Sequence, residues 1–146
     1  MENFVLSCCS TADLSLEHFQ NRNIHYICFH YELNGTVYPD DLGQSMPFDV
    51  FYEAMTKGAE TKTFQVNVAE FEAYFESFLK EGKDILHLCL SSGITGVMNS
   101  ANIAKDILAE KYPERKIYIV GWELTSCANG WRKTSARCSI GFSLQI

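Results

Sequence analysis

Residues 86–101 read LHLCLSSGITGVMNSA, and the fold follows from how this stretch divides. Leu86–Leu90 closes an apolar run that begins at Asp84, of the length and composition of a buried strand. Ser91 and Ser92 end it, Gly93 and Gly96 bracket Ile94 and Thr95, and a helical pattern follows. From Gly96 to about Lys111, Val97, Ala101, Ala104, Ile107 and Leu108 trace one face of that helix. A strand that passes through a tight polar turn into a helix belongs to an alternating β/α pattern.

The same alternation extends in both directions. Asn3–Cys9 reads as a buried strand, and Ser10, Thr11 and Asp13 are turn and cap residues ahead of a short helix at Leu14–Asn21. Ile24–Tyr31 is rich in aromatic and β-branched residues and is expected to be one strand. Asn34-Gly35 signals a turn, followed by a polar loop with Pro39. Phe48, Phe51, Tyr52 and Met55 fall at i, i+3, i+4 and i+7, the stripe of an amphipathic helix ending near Gly58. Residues 60–67, ETKTFQVN, form a loop or short extended piece. Asn67 and Glu70 have the spacing of a capping pair, and Val68, Phe71, Tyr74, Phe75 and Phe78 share a helix face running to Gly82. Lys116–Val120 is a last short strand. The fold class is therefore α/β, a parallel sheet flanked by helices.

Composition restricts the functional classes. The chain has 146 residues, of which 47% are hydrophobic and 21% charged, the balance of a soluble domain with a real core. A net charge of −6 argues against nonspecific binding to nucleic acid or anionic membrane. No apolar run approaches the roughly 20 residues of a membrane span, and no leader pattern opens the sequence, so a cytoplasmic location without membrane insertion is expected. Six cysteines include the vicinal pair Cys8-Cys9 but no C-x-x-C, which suits small buried hydrophobes in a reducing compartment. His25, His30 and His87 fall on strands and His18 on a helix, none with a cysteine or carboxylate at ligand spacing. No metal site and no catalytic set is expected on these grounds; Cys8 or Cys9 with a distant histidine is the nucleophilic alternative. Asp40 and Asp41 read as a solvated turn.

The turn at residues 91–96 is the chemical feature. Ligands in open α/β sheets sit beyond the carboxyl ends of strands. Gly93 and Gly96 let the backbone approach a ligand, and Ser91, Ser92 and Thr95 add hydroxyls beside a helix N-terminus. No lysine follows the second glycine, as a Walker loop requires, and neither G-x-G-x-x-G nor G-x-S-x-G is present. Uncharged donors suit a monoanion such as a carboxylate better than a polyphosphate. The plain alternative is a turn that only caps the helix.

SSGITGVMNSA resembles the SSG-x-[ST]-G-x-x-x-SA motif of the DegV family of bacterial fatty-acid-binding proteins. CSTADL at residues 9–14 is similar to that family's DSTADL; VYPDDL and FYEAM fall at its Y-x-D and FY-x-x-M, and TFQVN at its TSQPS. Order and spacing agree from about Val5 to Val120. The resemblance implies a DegV-like N-terminal lipid-binding domain at residues 1–121, a divergent tail at 122–146, and absence of the family's second domain. It implies one long-chain fatty acid as ligand, no cofactor, and presentation of the acyl group to a fatty-acid kinase. Thr63 and Thr95 correspond to the hydroxyls that hold the carboxylate, with Ser91, Ser92, Gly93 and Gly96 shaping the turn. Ile94, Val97 and Met98 are candidate tunnel walls. Phe64 stands where the family has a serine, so an aromatic ring lies beside the expected carboxylate; Cys9 replaces the aspartate of DSTADL and Val66 the proline of TSQP. Two readings follow: a fatty-acid-binding module, and a fragment that holds no ligand and dimerises through an uncovered apolar face.

Overall fold

The computed structural model describes residues 4–12, 14–90 and 95–122. Its centre is a four-stranded sheet built from β1 (Phe4–Cys9), β2 (His25–Ile27), β6 (Asp84–Leu90) and β7 (Ile117–Trp122), in the order β2-β1-β6-β7 with every pair parallel. In β6 the side chains alternate: Ile85, His87 and Cys89 are buried, while Leu86, Leu88 and Leu90 are partly covered. Helices α3 (Val68–Lys80) and α4 (Val97–Lys111) pack on each other and over the buried face. Phe71 and Phe75 from α3 and Ala101, Ala104 and Leu108 from α4 join Ile85 and Cys89 in one core, all within 3% of full burial. The small residues on α4 let the two helices approach closely, and the α3 phenyl rings fill the space above the sheet.

Helix α3 begins as its sequence predicts. Asn67 Oδ1 accepts from the Glu70 amide at 3.0 Å, and the Glu70 carboxylate accepts from the Asn67 amide at 2.8 Å, a reciprocal capping box. Gly82, with φ +74°, follows the last turn in the left-handed conformation that ends many helices.

The expected strand at Ile24–Tyr31 is two strands in two sheets. β2 stays in the parallel sheet, whereas β3 (His30–Leu33) pairs antiparallel with β4 (Thr36–Pro39) and β5 (Thr61–Phe64) in the order β4-β3-β5. The break at Cys28-Phe29 has a local cause. The Phe29 amide donates to Ser10 Oγ at 3.0 Å, and its carbonyl accepts from the Asp40 amide at 2.7 Å, so neither group continues the ladder. Ser10 also donates to the Asp40 carboxylate at 2.8 Å. Asp40 is thus a tie between the two sheets rather than part of a solvated turn, while Asp41 accepts from the Gln44 and Ser45 amides. The hairpin between β3 and β4 turns at Asn34 (φ 49°) and Gly35 (φ 84°), the left-handed pair a two-residue turn needs.

Three further elements sharpen the sequence reading. The stretch at residues 60–67, ETKTFQVN, holds its short extended piece at Thr61–Phe64, the strand β5 paired with β3. Helix α1 (Leu16–Asn21) starts two residues later than expected and is capped by Ser15, whose hydroxyl accepts from the His18 amide. Helix α2 (Phe48–Thr56) forms, but its apolar stripe is not a core face: Phe48 is 57% exposed and Tyr52 62%. Phe51 meets Tyr31 edge to face at 5.1 Å, and the small sheet beneath is too narrow to cover the rest.

Two substitutions separate the local signal from the packing. Asn67→Ala is expected to lower unfolding free energy by about 1 kcal/mol through loss of the cap. Phe75→Ala should lower it by about 3–5 kcal/mol through the cavity it leaves. Urea denaturation followed by circular dichroism reads both, and an unchanged midpoint for Asn67→Ala would show that the capping box contributes nothing.

Candidate functional site

The end of β5 and the start of α4 meet at an open depression of about 460 Å³ lined by Phe29, Thr63, Phe64, Gln65 and Thr95. Two of the predicted site residues, Thr63 and Thr95, come together in it although 32 positions separate them in sequence. Phe64, 43% exposed, lies alongside, and Phe29 is brought in by the break between β2 and β3. Gly96 sits at the rim. Ser91, Ser92, Gly93 and Ile94 lie outside the described residues. Val97 is fully buried among core residues and Met98 packs against Gly121, so neither faces the depression.

The hydrogen-bond pattern brings in Gln65, a residue the sequence reading did not single out. Thr95 Oγ1 donates to Gln65 Oε1 at 2.8 Å and accepts from the Val97 amide at 3.1 Å. The threonine therefore caps the first turn of α4 and orients the glutamine at once. With its carbonyl taken by Thr95, Gln65 keeps an amide NH2 group for a ligand. Gly96 explains how the two can lie so close. A Cβ at that position would stand 3.2 Å from Gln65 Nε2 and 3.4 Å from Oε1, tighter than side chains ordinarily pack. The motif TFQVN contained Gln65, but only the contact with Thr95 gives it a role.

Among the described residues, none that lines the depression is charged. Its donors are two hydroxyls and one primary amide, and its apolar surface comes from two phenyl rings. Such a place can hold one carboxylate by neutral hydrogen bonds and receive the first carbons of an apolar tail, but it has nothing to neutralise a polyphosphate.

A second polar group is buried beneath the same end of the sheet. His87 Nδ1 is 2.6 Å from Ser7 Oγ, and His87 Nε2 is 3.6 Å from Cys9 Sγ. This corrects the expectation that no histidine has a cysteine partner: the spacing in sequence is 78 residues, and the pairing of β1 with β6 removes it. The hydrogen bond from the Cys9 thiol, together with the neighbouring imidazole, holds the Cys89 pKa below the ordinary thiol range, while that bond to Cys89 and burial push the Cys9 pKa above it. Cys8, buried away from this group, is pushed up to about 12 by desolvation.

A family profile described as an uncharacterised protein of the DegV family matches residues 9–137. This chain belongs to the DegV family. It is 35% identical over 120 residues to a DegV domain-containing protein of Clostridium perfringens, covering 82% of this chain and 41% of that relative. Among solved structures, it is similar to a stearic-acid-binding protein from Eubacterium ventriosum, with a TM-score of 0.72, 25% identity, and coverage of 80% of this chain and 40% of that one. It is also similar to a DegV lipid-binding protein from Thermotoga maritima, with a TM-score of 0.68, 26% identity, and coverage of 82% and 41%. This DegV chain thus spans about two fifths of the length of the relatives it matches. No helix among its described residues is long and apolar enough to cross a membrane.

The contact between Gly96 and Gln65 is directly testable. In Gly96→Ala the new methyl should displace the Gln65 amide while leaving the sheet intact. The Gln65 side-chain amide signals in a 15N-correlated NMR spectrum should move, and their staying in place would refute the contact.

Proposed function

We propose that this chain binds a long-chain fatty acid at the depression between β5 and α4. The observation that carries this reading is the lining among the described residues: two hydroxyls and an amide with no charged side chain, flanked by Phe29 and Phe64. Thr63 and the amide nitrogen of Gln65 would donate to the carboxylate, with Thr95 holding the glutamine in place or turning its own hydroxyl to the ligand. Ser91, Ser92 and Gly93 belong to the same proposed site by sequence. Phe64 gives the tail an apolar surface where other family members have a serine, so head-group affinity rests more heavily on Gln65. The fatty-acid and lipid binding named for the Eubacterium and Thermotoga proteins supports the choice of ligand.

The energetics suit such a ligand. Each buried methylene contributes about 0.8 kcal/mol, so a long acyl chain supplies on the order of 10 kcal/mol before association costs. The head-group hydrogen bonds then decide orientation more than affinity. Binding rather than catalysis is the activity proposed, with presentation of the acyl group to a fatty-acid kinase in the cytoplasm as its use.

A second reading, a ligand-free module that dimerises, is favoured by one observation. Phe48, Val50, Tyr52 and Met55 on α2 are all at least 42% exposed, an apolar face that another protein surface would cover.

Native mass spectrometry after gentle purification separates the two. A co-purified mass of a long-chain acid supports binding, and a stable dimer without one supports the second reading. Thr63→Ala and Thr95→Ala are each expected to weaken acid binding by roughly 1–3 kcal/mol with folding kept. Unchanged affinity in both variants, measured by calorimetry with oleate, would remove the head-group assignment. Turnover of an acyl ester abolished by Thr95→Ala would replace binding with hydrolysis.

A further inference from the structure

Cys9, His87 and Cys89 lie on one face of the parallel sheet, and β1 and β6 bring them together. Ser7 is paired with His87 in the register of the two strands, which sets Cys9 beside Cys89 two residues further along. Their three donor atoms, two sulfurs and one ring nitrogen, all lie within 4.8 Å of one another. All three residues are at most 2% exposed. From these positions we infer that Cys9, His87 and Cys89 form a site for one thiophilic d10 cation, Zn2+ or Cu+.

The donor set sets the chemical class. Thiolate and imidazole are ligands for zinc, cuprous and similar ions, whereas magnesium and calcium require oxygen. The one distance resolved between ligand atoms fits as well. An ion bonded at about 2.3 Å to sulfur and about 2.0 Å to nitrogen in tetrahedral geometry places those atoms about 3.5 Å apart. Cys9 Sγ and His87 Nε2 stand at 3.6 Å.

The surroundings have the form of an outer shell. Ser7 Oγ lies 2.6 Å from His87 Nδ1, so with the proton on Nδ1 the serine accepts it and Nε2 keeps its lone pair for the ion. Phe71 and Phe75 meet the His87 ring at 5.4 and 5.3 Å, edge to face, and fix its plane. Cys8 sits on the opposite side of β1 by the alternation of the strand and takes no part. On binding, any remaining thiol proton leaves to solvent, and the ligands are two thiolates and a neutral imidazole. The site stands apart from the depression of Thr63, Gln65 and Thr95, sharing no residue with it, and does not depend on fatty-acid binding.

The test uses the full chain with Cys28, Cys127 and Cys138 changed to serine, stripped of metal under reducing, anaerobic conditions. Zn2+ and Cu+ are titrated separately against a chromophoric chelator, and melting temperature is recorded at each end point. One ion should bind at one equivalent per chain and raise the melting temperature, because it binds the folded state alone. Cys9→Ala and Cys89→Ala should each lose that equivalent, and Ser7→Ala should weaken it roughly 10- to 100-fold. Since a buried substitution can unfold the chain, X-ray absorption on the loaded, unsubstituted cluster gives an independent reading, with two sulfur neighbours and at least one nitrogen expected. Failure of both ions to bind at one equivalent, retention of binding in both alanine variants, or a shell without two sulfurs would overturn the inference.

Discussion

The parallel pairing of β1 with β6 is the constraint on which the remaining structure depends. It runs from Phe4 against Asp84 to Cys8 against Leu88, joining segments about eighty residues apart. Because side chains alternate along each strand, one register decides which residues face the α3–α4 layer and which do not. A slip of one residue would turn Val5, Ser7 and Cys9 away from the core and bring Leu6 and Cys8 into their place. The register also aligns the carboxyl ends of the two strands. The Ser10 turn and the start of α4 therefore leave the sheet at the same edge.

From that edge a set of polar contacts ties the second sheet to the first. Ser10, 3% exposed, accepts from the Phe29 amide and donates to Asp40, tying the end of β1 to the β2–β3 break and to the end of β4. A buried hydroxyl with both roles filled holds geometry well, because removing either partner leaves a polar group without water. Through β3, this tie carries β5, and β5 delivers Thr63 and Phe64 opposite Thr95. His30 adds a contact from β3 to α3, its Nδ1 3.7 Å from Glu70 Oε1. The position of the depression is thus fixed by a short chain of hydrogen bonds from the main sheet.

The two polar groups near this edge are built on opposite terms. The depression is open, and among the described residues its polar lining is neutral, with Thr95 and Gln65 hydrogen-bonded to each other at its edge. The Ser7–Cys9–His87–Cys89 group is closed under two phenyl rings, where every polar atom needs a partner within the protein. Phe29 and Phe64 give the depression its apolar surface, while Phe48, Val50, Tyr52 and Met55 leave the α2 face exposed.

Periodicity and turn chemistry alone determined the α/β class, the helices at α3 and α4, the capping box of Asn67 and Glu70, and the strand at Asp84–Leu90. These are local properties, set by residues within one or two turns of each other. The motifs at residues 63–67 and 91–101 contain Thr63 and Thr95, which the fold brings to one depression. Tertiary structure decided what depends on distant partners. The split of residues 24–31 into two sheets came from Ser10 and Asp40, and the exposure of the α2 stripe from the narrow sheet beneath it. Gln65 acquired its role from Thr95, and His87 its cysteines from β1. Each of these is a contact between segments far apart in the chain, and no spacing within a window of sequence encodes which strand will lie beside which.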